Sequence, residues 1–168
     1  MLTEAIRLTL FPAMMAFAAS SDLLTMTIAN RVSLVLVGGF VLLAALSGLS
    51  GADMLSHAGA AAAVLAAAFF CFACGWIGGG DAKLAAATAL WLGFAHLFDY
   101  LAYASILGGA LTLLIVQFRN LPLPHVLVGR EWAERLHRQG GGVPYGIALA
   151  VAALVVYPQT EWMTALGL

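Results

Sequence analysis

Residues Ser56–Ile77 read SHAGAAAAVLAAAFFCFACGWI, a run without a single Asp, Glu, Lys or Arg. A helix rises about 1.5 Å per residue, so roughly 20 apolar residues cross the hydrocarbon core of a bilayer. This run is long enough to do so, and its alanines let neighbouring helices approach closely in lipid. Working outward, similar apolar runs fall at about 5–20, 32–49, 84–98, 100–118 and 143–167. The 168 residues are 63% hydrophobic and 9% charged, with a mean hydropathy of +1.00. A soluble domain carries about 45–50% apolar and about 25% charged residues. A soluble chain this short could not hide so much apolar surface, whereas lipid-facing residues need no core. The expected fold is therefore an all-α integral membrane protein, a bundle of about six transmembrane helices forming one domain over 1–168. The count falls to five if the first run only lies at the interface. The division between the fourth and fifth runs is expected at the polar marks His96, Asp99 and Tyr100.

The first residues have the early basic residue and apolar stretch of a signal peptide, but Glu4 spoils the basic region and further spans follow at once. A retained first helix is expected. Arg31, Lys83, Arg119, Arg130, Arg135 and Arg138 all fall in alternate loops, and only Arg7 dissents. By the positive-inside rule those loops are cytoplasmic and both chain ends lie on the outer face. The hydrophilic stretch 119–142 is then a cytoplasmic loop. Within it Val126–Arg138 suits either a helix lying on the membrane surface or a solvated connection. A net charge of −1 gives no electrostatic footprint for nucleic acid, so the expected surroundings are membrane lipid.

Ionisable residues near membrane depth are costly and are functional candidates by default. Asp22 follows the first run, and Asp81 follows Gly78-Gly79-Gly80. The loop-charge argument, made without either residue, puts both near the same face, where they can meet across the bundle. Two carboxyl groups within reach of each other share a proton, so one can activate a water while the other polarises a peptide carbonyl. The same positions also suit a plain structural role, Asp81 capping the fourth helix and Asp22 lying in an interfacial loop. The glycines let the chain bend sharply before Asp81 and admit another backbone closely, or form an ordinary flexible turn.

Gly78-x-Gly80-Asp81 with Lys83 and Leu84 resembles the G-x-G-D motif of the type IV prepilin peptidases. Asp22 to Arg31, with Ile28-Ala29-Asn30, is similar to that family's first-aspartate segment, except that Ala29 stands where a proline is usual. Val143-Pro144-Tyr145-Gly146 resembles the segment opening the family's last helix. The resemblance implies an intramembrane aspartic endopeptidase with Asp22 and Asp81 catalytic and no cofactor or metal. Gly78, Gly80, Lys83, Pro144, Tyr145 and Gly146 would support the site or bind substrate. It further implies the short form, without the zinc-binding methylase domain, as in tight-adherence (Flp-type) pilus systems. Such enzymes remove the leader of prepilins and pseudopilins at the cytoplasmic face of the bacterial inner membrane. Lys83 would then attract an acidic substrate residue or bias the aspartates, unless it pairs with lipid phosphate. The competing readings are a small proton- or cation-coupled transporter and a non-catalytic pilus or secretion assembly subunit.

The remaining polar residues have plain readings. Cys71 and Cys74 lack the two further ligands of a tetrahedral zinc site and are expected as buried thiols. His57, His96, Asp53 and Asp99 belong to the opposite face, away from the aspartates. Trp76, Trp91, Trp132 and Trp162 suit interfacial anchors. No G-x-S-x-G or H-E-x-x-H sequence occurs.

Overall fold

The computed structural model describes residues 2–164, all helices, turns and loops without a strand. Four helices are long and apolar enough to cross a membrane. They are α1 (Leu2–Thr25), α2 (Asn30–Ser47), α3 (Gly51–Ala73) and α4 (Gly79–Asn120). The short α5 (Glu131–His137), the apolar α6 (Tyr145–Val156) and a closing turn of helix, α7 (Glu161–Thr164), follow. This is the multi-pass all-α membrane architecture that the composition predicts.

The longest helix contains a break that the sequence reading misplaced. At Gly93 the backbone takes φ 64° and ψ −179°, a conformation essentially confined to glycine. On a straight helix Ala85 and Ala104 would lie about 28 Å apart. Instead Asp81 and Ala85 line one cavity together with Leu101, Ala104 and Ser105, so the two halves of α4 turn back on one another at Gly93. The fourth and fifth runs therefore part at Gly93, not at His96–Tyr100. Those polar residues sit inside the second half. The His57 ring lies only 2.9 Å from where a Gly93 Cβ would be, so the corner is fitted against α3.

The other boundaries follow local chemistry. Helix α3 starts earlier than its apolar run because the Ser50 side chain caps it, accepting the Asp53 N–H at 3.2 Å. The sixth run is shorter than expected: α6 gives way to a tight turn at Tyr157–Gln159, with Pro158 inside it. The last residues of the expected run, 165–167, lie outside the described residues. In the loop, a turn at His125–Leu127 precedes α5, whose Ala133 and Leu136 are buried while Val126 is exposed.

The aromatic residues correct a second expectation. Trp91 and Trp162 are core residues, 0% and 2% exposed. Their indole N–H groups are satisfied internally, Trp91 donating to the Leu36 carbonyl at 2.9 Å and Trp162 to the Trp91 carbonyl at 2.7 Å. Together with Phe11, Phe40, Tyr157 and His57 they fill the end of the bundle remote from the aspartates. There His57 bonds the Leu90 carbonyl and the Glu161 carboxylate, at 2.8 and 2.9 Å. The cysteines also depart from the reading as buried thiols: Cys71 is half-buried beside a cavity and Cys74 is exposed at the end of α3.

Candidate active site

Asp22 lies within the last turn of α1, not in a loop, and is 5% exposed. Its Oδ2 accepts the Gly146 N–H at 2.7 Å. Gly146 is the second residue of α6, where a helix has N–H groups without internal partners and a partial positive charge. The carboxylate of one helix thus caps the start of another. Pro144, just before α6, lacks an N–H of its own and leaves this end free to present that of Gly146.

Asp81 is built on the same principle. Gly78 is the N-cap of α4 and Asp81 is three residues on, with its Oδ2 accepting the Gly78 N–H at 3.3 Å. This is the carboxylate half of a capping box, and Gly78 has no side chain to complete the other half. The plain structural role considered for Asp81 in the sequence, that of N-cap itself, belongs to Gly78.

The glycines serve proximity, not a bend. Gly78 is extended, with φ −75°. A Cβ on it would lie 2.9 Å from Asp81 Oδ2, one on Gly80 would lie 3.1 Å from Ile28 Cβ, and one on Gly146 would lie 2.8 Å from Asp22 Oδ2. Each motif glycine is therefore occupied by the protein's own atoms. Gly80 and Gly146 both abut Ile28, which joins the two aspartate-bearing segments.

The two carboxylates come together although they are far apart in the chain. Asp22 and Asp81 border a cavity of about 370 Å³ with Met26, Gly78, Arg135, Arg138 and the 141–143 backbone. They also border an adjoining cavity of about 290 Å³ with Thr27, Ile28 and the glycine triplet. A third, mostly apolar cavity of about 400 Å³ reaches Asp81 from between α3, the second half of α4 and α6. Cys71 and Tyr145 are among its walls, and the Tyr145 ring occupies the place of a Gly108 Cβ.

Lys83 is turned away from this centre. Its Nζ donates to Asn30 Oδ1 at 2.9 Å and it lines a separate groove in which neither aspartate takes part. It ties the start of α4 to the start of α2, and so bears on the aspartates only through the backbone.

Sequence reasoning missed Met26, Arg135 and Arg138. Met26 takes φ 55° as the chain leaves α1, an unusual conformation for a non-glycine residue, and borders both cavities that hold the aspartates. Arg135 donates to the Leu24 carbonyl at 2.8 Å, pinning α5 over the end of α1. Arg119 donates to the Leu136 and Gly142 carbonyls, both at 2.7 Å, and so fixes the loop across the mouth of the cavity. The charges of the two arginines were visible in the sequence, but nothing in the spacing indicated which would border the cavity of the aspartates. Among the described residues, no three His, Cys, Asp or Glu side chains are grouped to hold a metal ion.

The sequence pattern of the type IV leader peptidase family matches residues 9–113, more than half of the chain. The chain belongs to the type IV leader peptidase family. The matched stretch includes both aspartate segments and the whole glycine triplet, and stops before Pro144-Tyr145-Gly146. No curated protein and no solved structure matches the chain. Family membership makes this multi-pass membrane protein a leader peptidase in general terms, with prepilin-like polypeptides as the implied substrates.

Proposed function

We propose that this leader peptidase is an aspartic endopeptidase in which Asp22 and Asp81 activate one water between them. The observation that carries the reading is the meeting of these two carboxylates, from different helices, on the same cavities at one end of the bundle. One carboxyl takes the proton of the water as it attacks the scissile carbonyl, while the other donates to the developing oxyanion. The proton then passes to the leaving amine. Backbone N–H groups of Gly146 and Gly78 hold the two carboxyl groups in place throughout.

The substrate is the leader-bearing end of a prepilin or pseudopilin, cut at the cytoplasmic face of the bacterial inner membrane. Charge supports this orientation, since Arg31, Lys83, Arg119, Arg130, Arg135 and Arg138 belong to loops and helix ends on the aspartate side. Arg138 borders the catalytic cavity and takes no side-chain partner among the described residues. It is therefore better placed than Lys83 to meet an acidic group on the substrate. The transmembrane helices and the loop that joins α4 to α6 act together as one peptidase domain.

Cleavage of a prepilin in membranes, with wild type compared with Asp22→Asn and Asp81→Asn at equal expression, tests the reading. Both variants are nearly isosteric, so each is expected to fold and to lose cleavage. Full activity in either would end the two-carboxylate mechanism.

A further inference from the structure

A second cavity has no part in the peptidase reading. Helix α2 packs on α1 and α4, and α3 packs on α4, but α2 and α3 make almost no contact with each other. The gap between them is a groove of about 590 Å³, floored by Ala86, Ala87 and Leu90 of α4. Its walls are Leu34 and Val37 on one side and Ala61, Ala62 and Leu65 on the other.

Three features define what would fit there. First, the groove is closed at one end. Toward the far side of the bundle, Phe40 of α2 meets His57 of α3 and Trp162, with ring centroids 5.3 and 5.6 Å apart, and these rings bridge the two helices. Second, the open end is polar and cationic. Lys83 and Asn30 stand there, with Lys83 exposed, and the Ser33 hydroxyl nearby finds no hydrogen-bond partner. Third, the groove is short enough to lie within one leaflet. From Lys83 to Leu90, or from Asn30 to Val37, the groove runs about 10 Å along the helices. Half of a bilayer's hydrocarbon core is about 15 Å thick, whereas a transmembrane helix of a partner needs about 30 Å of continuous surface.

A blind apolar trough that lies within one leaflet, with an ammonium group at its mouth, is complementary to a single phospholipid. We propose that this groove binds an anionic phospholipid, its headgroup phosphate on Lys83 and one acyl chain lying between α2 and α3 against Ala86, Ala87 and Leu90. Cation and headgroup meet at the interface, where a basic side chain attracts anionic lipid. The bound lipid supplies the packing that α2 and α3 do not give each other. It also seats the Lys83–Asn30 link that ties α4 to α2.

The test uses the full chain purified in detergent, with phosphatidylglycerol and phosphatidylcholine as probes. Native mass spectrometry is expected to show one retained phosphatidylglycerol. The thermal midpoint is expected to rise by several degrees more with that lipid than with phosphatidylcholine. Lys83→Gln should abolish the difference and Lys83→Arg should keep it. Ala62→Phe, which fills the groove from an exposed position, should weaken retention of phosphatidylglycerol at least tenfold. Equal response to the two lipids in the wild type, or a preference that survives Lys83→Gln, overturns the proposal. A dimer that Ala62→Phe dissociates would instead assign the groove to a second copy of the chain, and overturns it too. None of these readouts depends on cleavage, so the peptidase reading stands or falls separately.

Discussion

Gly146→Ala adds one methyl group at the point where α6 holds Asp22, and its consequence follows from the surrounding distances. The new Cβ would lie 2.8 Å from Asp22 Oδ2, 2.7 Å from Ile28 Cδ1 and 3.1 Å from Asp22 Cβ. Ile28 can move the end of its side chain. Asp22 cannot escape by turning its carboxylate, because its own Cβ is crowded as well. The start of α6 must therefore draw away from α1. An ordinary contact begins near 3.4 Å, so the carboxylate and the Gly146 backbone separate by about 0.6 Å. The 2.7 Å hydrogen bond lengthens accordingly and weakens, and the carboxylate shifts with it. Overpacking of this kind costs about 1–3 kcal/mol of stability. Displacement of a catalytic group by 1 Å costs about 100-fold, so cleavage should fall roughly tenfold to a hundredfold. The assay is prepilin cleavage by purified protein, normalised to the folded fraction from a thermal melt in the same detergent. Gly109→Ala is the control, since a Cβ there meets nothing within 4 Å. It lies within α4 and should gain up to about 1 kcal/mol in helix propensity without loss of cleavage. If Gly146→Ala cleaves as well as Gly109→Ala, the N–H of α6 is not what positions Asp22.

Two further outcomes test neighbouring contacts. Lys83→Met and Asn30→Ala each remove one side of the 2.9 Å link between α4 and α2, and the double variant should be no worse than either single one. A double-mutant cycle on thermal stability should return a coupling of about 0.5–1.5 kcal/mol, and a value near zero removes Lys83 as a tie between the helices. Ala29→Pro should raise stability by about 0.4–1 kcal/mol, read as a higher unfolding midpoint at unchanged cleavage. Ala29 already has φ −65°, the value a proline ring imposes, and its N–H makes no backbone hydrogen bond.

That last position shows how the sequence carried its information. The departure from the family's usual proline leaves the turn unaltered, because Ala29 adopts the same φ. Most of the fold was legible for a simple reason: runs such as Ser56–Ile77 have no soluble alternative, and hydropathy needs no knowledge of neighbours. The corner at Gly93 was not legible, because Gly93 lies in an unbroken apolar stretch and its role depends on the His57 ring packed against it. The polar residues His96 and Asp99 drew attention away from it. Tryptophan at 91 and 162 misled in the same way, since the indole N–H can be satisfied by a core carbonyl as well as by interfacial water. At the site, charge and glycine spacing pointed to Asp22 and Asp81, but side-chain direction separates Lys83 from Arg138, and no spacing rule supplies that direction.

The two close-packed glycines at opposite ends of the bundle also separate scaffold from site. Gly93→Ala forces a side chain into a backbone region that costs on the order of 1–3 kcal/mol for any residue but glycine. The same Cβ would lie 2.9–3.2 Å from three atoms of the His57 ring, which is held at both nitrogens and cannot swing aside. Stability should therefore fall by about 2 kcal/mol or more, as much as or more than for Gly146→Ala. Yet Gly93 lies at the end of the first half of α4 remote from Asp81, and none of its neighbours borders the catalytic cavity. Cleavage per folded molecule should stay within about twofold of wild type, while Gly146→Ala, with similar or milder destabilisation, loses at least tenfold. Parallel melts and cleavage rates on the two variants decide between a site set by local contacts and one set by the stability of the whole bundle. If activity tracks the melting midpoint alike in both, the hydrogen bond from α6 to Asp22 has no special standing, and the geometry of the two carboxylates is a property of the bundle's overall tightness.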